Sequence, residues 1–133
     1  MVLDVGDPSS PKQAGSNPTV GHSLGVAVAG NHAYLADRER GLHVFDVTDA
    51  AKPKRVGGYL GAGFTIGVAL SGNYAFLAKG YAGVDVLDVT DPTNPTRAGG
   101  LPTIGYALGV AAKDNYIYVA ASEAGLQIIE MAK

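Results

Sequence analysis

His22, Phe64 and Tyr106 are the first candidates for chemistry, because each follows a glycine and they stand 42 residues apart. A ring of such groups at the mouth of a channel could hold a planar or sugar-like ligand, though side chains of this kind also serve simply to plug a channel. Three connecting segments vary most between otherwise similar stretches: Asp37-Arg38-Glu39-Arg40, Lys79-Gly80-Tyr81-Ala82 and Ala121-Ser122-Glu123-Ala124. Variable loops on a repeated scaffold are where partners are met, and also where sequence drifts freely. The candidate ligand-contacting set is therefore His22, Phe64 and Tyr106 with Arg38, Arg40, Lys79, Tyr81 and Glu123.

Other reactive-looking residues resolve into structure. Asp4, Asp46 and Asp88 share a column with Glu130, and Asp7, Asp49 and Asp91 share another. Asp-x-Thr-Asp could present oxygens to Ca²⁺, but the graded ligand series and terminal Glu of a dedicated loop are missing. Capping of the turn backbone before a proline accounts for the pattern. A catalytic acid also has no reason to recur in every unit. His32 and His43 lack a nearby ligand set, and Ser23 adjoins His22 without an orienting acid or an elbow motif. Gly80–Gly83 has no downstream Lys-Ser/Thr and so is no phosphate loop. The expectation is a protein without catalytic residues, metal or cofactor.

The scaffold that carries these positions is a repeat. Displaced by 42, the chain falls on itself without a gap: Pro11, Pro53 and Pro95 align, as do Asn31, Asn73 and Asn115. Residues 44–85 and 86–127 share 18 identities. Three units fit, at 2–43, 44–85 and 86–127, and 128–133 begins a fourth. Inside one unit, Gly67–Ser71 and Tyr74–Ala78 are apolar runs separated by Gly72-Asn73, a two-residue hairpin loop in which both residues tolerate positive φ. Val84–Val89 is a β-branched run, and dense turn chemistry (Thr90-Asp91-Pro92-Thr93-Asn94-Pro95) leads to the polar Thr96–Gly100. These are strands A, B, C and D. No segment holds a helical period, so the chain is all-β.

Polarity rises from A to D. Gly25–Ala29 is small and apolar, as befits a strand crowded near an axis, whereas Lys54-Arg55-Val56-Gly57-Gly58 suits an outer edge protected by charge. This gradient is that of a propeller blade. The motifs Gly67-Val68-Ala69, Gly72-Asn73-Tyr74-Ala75 and Gly83-Val84-Asp85-Val86-Leu87-Asp88-Val89-Thr90-Asp91-Pro92 resemble the LVIVD repeat of bacterial and archaeal proteins. The resemblance covers nearly the whole chain. It implies a β-propeller, often surface-exposed or secreted, with no assigned chemistry.

Composition agrees with a packed domain: 47% of residues are hydrophobic and 17% charged. A net charge of −2, with the charges scattered, gives no footprint for nucleic acid or an anionic membrane surface. With no cysteine, disulfides and thiolate metal sites are excluded. Met1–Val5 does not read as a signal peptide, and no apolar run approaches the roughly 20 residues of a membrane helix. These features predict a soluble, unexported chain, while the family resemblance implies a surface or secreted setting.

A closed propeller needs at least four blades, and this chain supplies three. Two blade faces would stay open, so the expectation is a single segment, residues 1–133, that closes its ring by homo-oligomerisation. Multiples of three allow a six-bladed homodimer or a nine-bladed homotrimer, and the dimer is favoured because dimers are commoner. Strand C occurs four times and A, B and D three times each. Strand D at Lys12–Gly15 of one chain can thus complete the A-B-C sheet of another, leaving Met1–Val5 or Ile128–Lys133 displaced. The expected function is a structural or protein-interaction scaffold, with a protein or glycan partner; the alternative is a small-molecule or glycan binder at the axial face. The alternative fold is a monomeric β-trefoil, which would want bulkier core residues than the Gly/Ala-rich A strands.

Overall fold

The computed structural model describes residues 1–18 and 21–131. Strands β1 (Val2–Asp4) and β2 (Lys12–Gly15) form a two-stranded sheet. Strands β3 (Gly25–Ala29), β4 (His32–Ala36), β5 (Leu42–Asp46) and β6 (Lys54–Tyr59) form a four-stranded sheet. A second four-stranded sheet contains β7 (Gly67–Ser71), β8 (Tyr74–Ala78), β9 (Val84–Asp88) and β10 (Thr96–Leu101). The last sheet holds β11 (Gly109–Lys113), β12 (Tyr116–Ala120) and β13 (Leu126–Glu130). Neighbouring strands are antiparallel and follow chain order, so each complete sheet is an A-B-C-D meander. Among the described residues no helix is long and apolar enough to cross a membrane.

Local chemistry sets these elements. In the A–B hairpins only the first loop residue takes positive φ, at Gly30 (56°), Gly72 (57°) and Asp114 (54°), which explains why glycine or aspartate stands there. The following asparagines have a different task. The carbonyls of Asn31, Asn73 and Asn115 accept the N–H of Val47, Val89 and Met131, at 2.8, 2.8 and 2.9 Å, tying the end of strand C to the A–B turn. The repeated aspartates cap the C–D turns. Asp46 accepts the Thr48 N–H at 2.8 Å, and Asp88 accepts the N–H and the hydroxyl of Thr90 at 2.9 and 2.6 Å. Asp49 and Asp91 repeat the motif with Ala51 and Thr93. The register slips by one residue at the same point of each C–D pair, between Val2 and Leu3, Val44 and Phe45, and Arg97 and Gly99, a bulge that adds twist.

The sheets stack face to face. Tyr34, Leu42 and Val44 of the first meet Val68, Ala75, Leu77 and Leu87 of the second. Phe76, Ala78 and Val84 on the far side of the second meet Ile117 and Val119 of the third. Strands β3, β7 and β11 run side by side, so the small-residue strand is innermost, as its composition predicts. A Cβ at Gly25 would lie 3.3 Å from the Gly67 Cα, and one at Gly67 would lie 3.4 Å from the Gly109 Cα, so the A strands approach through glycine. These separate stacked sheets are not the barrel of a trefoil. The expected displacement of one end concerns the assembled ring; in the single chain Val2–Asp4 pairs with β2 and Leu126–Glu130 pairs with β12, while Ala132 and Lys133 lie outside the described residues. Within one chain the two end copies of strand C do not compete, so both find partners.

Candidate functional site

The B–C turns and the segments leading into strand A share one end of the stack. Arg38 and Thr65 exchange backbone hydrogen bonds (2.8 and 2.9 Å), and Gly80 and Ala107 repeat the exchange (2.9 and 3.0 Å). The first two B–C turns are thereby sewn to the next unit. The turn backbone is the same three times despite unrelated side chains: Arg38, Gly80 and Ser122 all take positive φ, at 44°, 61° and 50°. An arginine in that conformation is strained where glycine is not.

On this frame the expected candidates fall into pairs. His22 Nδ1 lies 3.1 Å from Glu39, the Arg38 guanidinium sits 4.9 Å above the Phe64 ring, and Tyr81 tilts against Tyr106 at 4.6 Å. Arg40, Tyr81 and Glu123 project into solvent. The column residues and the variable turns, singled out separately in the sequence, therefore touch one another. Lys79 is the correction. Its side chain is fully buried and reaches 3.8 Å from Asp85 Oδ2, because the first residue of the B–C turn points between the sheets.

That buried position belongs to a polar node which motif reasoning missed. In the first full sheet Arg55 Nε donates to His43 Nδ1 at 3.0 Å, so Nε2 carries the ring proton and donates to the buried Asp37 at 2.8 Å. Ser23 Oγ adds a longer bond to the same carboxylate, at 3.4 Å. One unit on, Lys79, Asp85 and Arg97 take the places of Asp37, His43 and Arg55, with Arg97 Nε 3.4 Å from Asp85. Lys79 Nζ and Thr65 Oγ1 are buried without a hydrogen-bond partner among the described residues. Burial pushes the Lys79 amine below its ordinary range, Asp85 pulls it back up, and Arg97 pushes it down again. The signal for this node was present as an exchange of acid and base between columns 37/79 and 43/85. Among the described residues no group of three His, Asp or Glu side chains is placed to hold a metal.

Apolar side chains are exposed on the two end faces. Leu126 and Ile128 are 66% and 57% exposed, whereas their repeat equivalents Leu42 and Val44 are fully buried. At the other end Val26 and Val28 are each 62% exposed, whereas Val68, the equivalent of Val26, is 8% exposed. A cavity of about 480 Å³ lies over this second face, lined by Val26, Val28, Leu35 and Phe45 together with Val2 and Leu3 of β1.

Stacked, four-stranded antiparallel sheets with small inner strands and charged outer strands define a propeller-like repeat protein. The LVIVD repeat matches the chain at residues 20–60, 62–103 and 104–131, and the chain belongs to that family. Solved structures of similar fold include the computationally designed Ika4 protein, at a TM-score of 0.67 and 10% identity over 83% of this chain and 66% of that one. The computationally designed Ika8 protein gives the same score and identity over 82% of this chain and 33% of that one. The chain thus spans about two thirds of the length of the first and a third of the second. At this identity the likeness is one of fold. No curated protein matches the chain.

Proposed function

We propose that the chain is a non-catalytic propeller segment that assembles with copies of itself, as a six-bladed dimer or a nine-bladed trimer, and serves as a structural or protein-interaction scaffold. The observation that carries this reading is the exposure of Leu126 and Ile128 at positions where the first full sheet buries Leu42 and Val44 completely. The complementary face, Val26 and Val28, is exposed at the opposite end of the same chain. A head-to-tail contact between copies joins these two faces in the geometry already used twice inside the chain. Burying a side chain of this size contributes about 1.5–3 kcal/mol, and a closed ring covers every such face. The three-stranded sheet β11-β12-β13 gains its missing strand D from β2 of the next copy. Ile128→Lys tests the interface. By sedimentation velocity the wild-type chain runs as a multiple of its mass and the variant as a single chain. A variant that sediments like wild type removes this face from the assembly.

A second reading has its own support. The Arg38–Phe64 and Tyr81–Tyr106 contacts place cationic and aromatic surface at one end of the stack, suited to a planar or glycan ligand. Combined alanine replacement of His22, Phe64 and Tyr106 abolishes ligand-dependent thermal stabilisation in a glycan and metabolite screen if this end binds ligand. Unchanged stabilisation contradicts it.

A further inference from the structure

We infer that β1 is a built-in competitor of ring closure: β2 pairs either with β1 of its own chain or with β13 of a second copy, and release of β1 admits the second copy. The inference rests on the self-assembly proposed above and identifies the strand exchange on which it turns.

Register carries the argument. In the first full sheet, strand C meets strand D as Val44↔Gly57, Phe45↔Arg55 and Asp46↔Lys54. The amino-terminal pair repeats this as Val2↔Gly15, Leu3↔Gln13 and Asp4↔Lys12, with the bulge at the same step. The fourth copy of strand C presents Ile128, Ile129 and Glu130 at those positions. Strand β13 therefore fits β2 as Ile128↔Gly15, Ile129↔Gln13 and Glu130↔Lys12, keeping a carboxylate opposite Lys12. It lies at the edge of its sheet, where a strand D belongs. One side of β2 cannot hold two C strands.

Strand β2 is already in position to be shared. Asn17 Nδ2 donates to the Pro53 carbonyl at 2.8 Å, and a Cβ at Gly15 would collide with the Ala50 carbonyl oxygen. Strand β1 is held less well. It has three residues where β5, β9 and β13 have five, and Met1, Leu3 and Val5 are exposed. No A or B strand stands behind it, so it leaves the cavity over Val26, Val28 and Leu35 open. The β11-β12-β13 sheet of a second copy brings Tyr118, Leu126 and Ile128, the equivalents of Tyr34, Leu42 and Val44, to that face.

The chain has no cysteine, so introduced pairs are its only thiols. Gln13→Cys with Ile129→Cys is expected to give chain-to-chain disulfides on a non-reducing gel. Leu3→Cys with Gln13→Cys, when oxidised, locks the hairpin and holds the protein at single-chain mass; reduction restores assembly. Deleting Met1–Val5 lowers the half-assembly concentration by about tenfold or more. If the oxidised Leu3/Gln13 variant assembles like wild type, the exchange is overturned while the ring stands. If wild type and deletion variant are both single chains at every concentration, the ring falls and the exchange with it.

Discussion

The Lys79 ammonium lies 3.8 Å from the Asp85 carboxylate, in the two positions that one unit earlier hold Asp37 and His43 at 2.8 Å. Acid and base have changed places across a single repeat. The third unit holds Ala121 and Gln127 there, and Gln127 donates to the Ile104 carbonyl at 3.1 Å. Each solution leaves the strands in register, so the backbone frame tolerates any node whose charges are answered locally. Buried ion pairs recover little of their desolvation cost, and the Lys79 amine, without a hydrogen bond, is the least well answered of these groups.

Lys79→Met should therefore leave the chain equally stable or about 2 kcal/mol more stable, because Arg97 still answers Asp85. The pH dependence separates the variants. Burial lowers the folded-state pKa of Lys79 below its unfolded value of about 10.4. Between the two values the unfolded chain binds more protons, so wild-type stability rises with pH there, and below that window the cost of the buried charge applies in full. Urea midpoints of wild type relative to Lys79→Met should climb toward pH 10. A constant difference contradicts the account.

Exchanging the nodes tests whether charge order or charge pairing matters. Asp37→Lys and His43→Asp should each destabilise by about 3 kcal/mol, since each leaves a buried charge unanswered or opposed. Combined, they reproduce the Lys79–Asp85 arrangement, and a double-mutant cycle should show more than 1 kcal/mol of favourable coupling. Simple additivity would show that the node does not act as a pair.

Acid sensitivity should reside in the C–D turns. Hydrogen bonds from the Thr90 and Thr93 hydroxyls, then from the backbone N–H of the same residues, hold Asp88 and Asp91 below the usual carboxylate range. A depressed folded pKa gives stability that is present above the unfolded value of about 3.9 and lost as pH falls through the folded one. Thr90→Val with Thr93→Val narrows that gap and moves the acid unfolding midpoint upward. An unmoved midpoint, followed by circular dichroism, contradicts the assignment.

The strand order and the inner position of strand A were legible in the sequence because a 42-residue period multiplies every local signal by three. Gly72-Asn73 alone is a weak hairpin; Gly30, Gly72 and Asp114, each followed by asparagine, are a strong one. The pairing of His22 with Glu39 and of Phe64 with Arg38 was not legible. The first depends on how the segment before strand A folds beside the B–C turn of its own unit, and the second on how that turn reaches the next unit, contacts that no strand or turn motif announces. Lys79 was misplaced for a similar reason: a lysine opening a turn looks exposed until the neighbouring sheet closes over it.

Glycine gives a test that separates folding from assembly. A Cβ at Gly57 would come within 2.8 Å of the Pro92 and Thr93 carbonyl oxygens, whereas one at its equivalent Gly99 meets nothing within 4 Å. In the assembly proposed above, the repeat sets Gly99 opposite Pro8 and Ser9 of a second copy. Gly57→Ala should destabilise the chain itself by about 1–3 kcal/mol. Gly99→Ala should leave the single chain as stable as before and weaken assembly by tenfold or more. Equal effects of the two changes on chain stability would argue against a neighbour at Gly99.

Light scattering across a range of concentrations gives the mass of the particle directly. With a chain of 13.5 kDa, wedge-shaped sheets that complete a circle with their own copies predict a particle of two or three chains that dissociates only on dilution. A compact 13.5 kDa species persisting at high micromolar concentration would contradict that account.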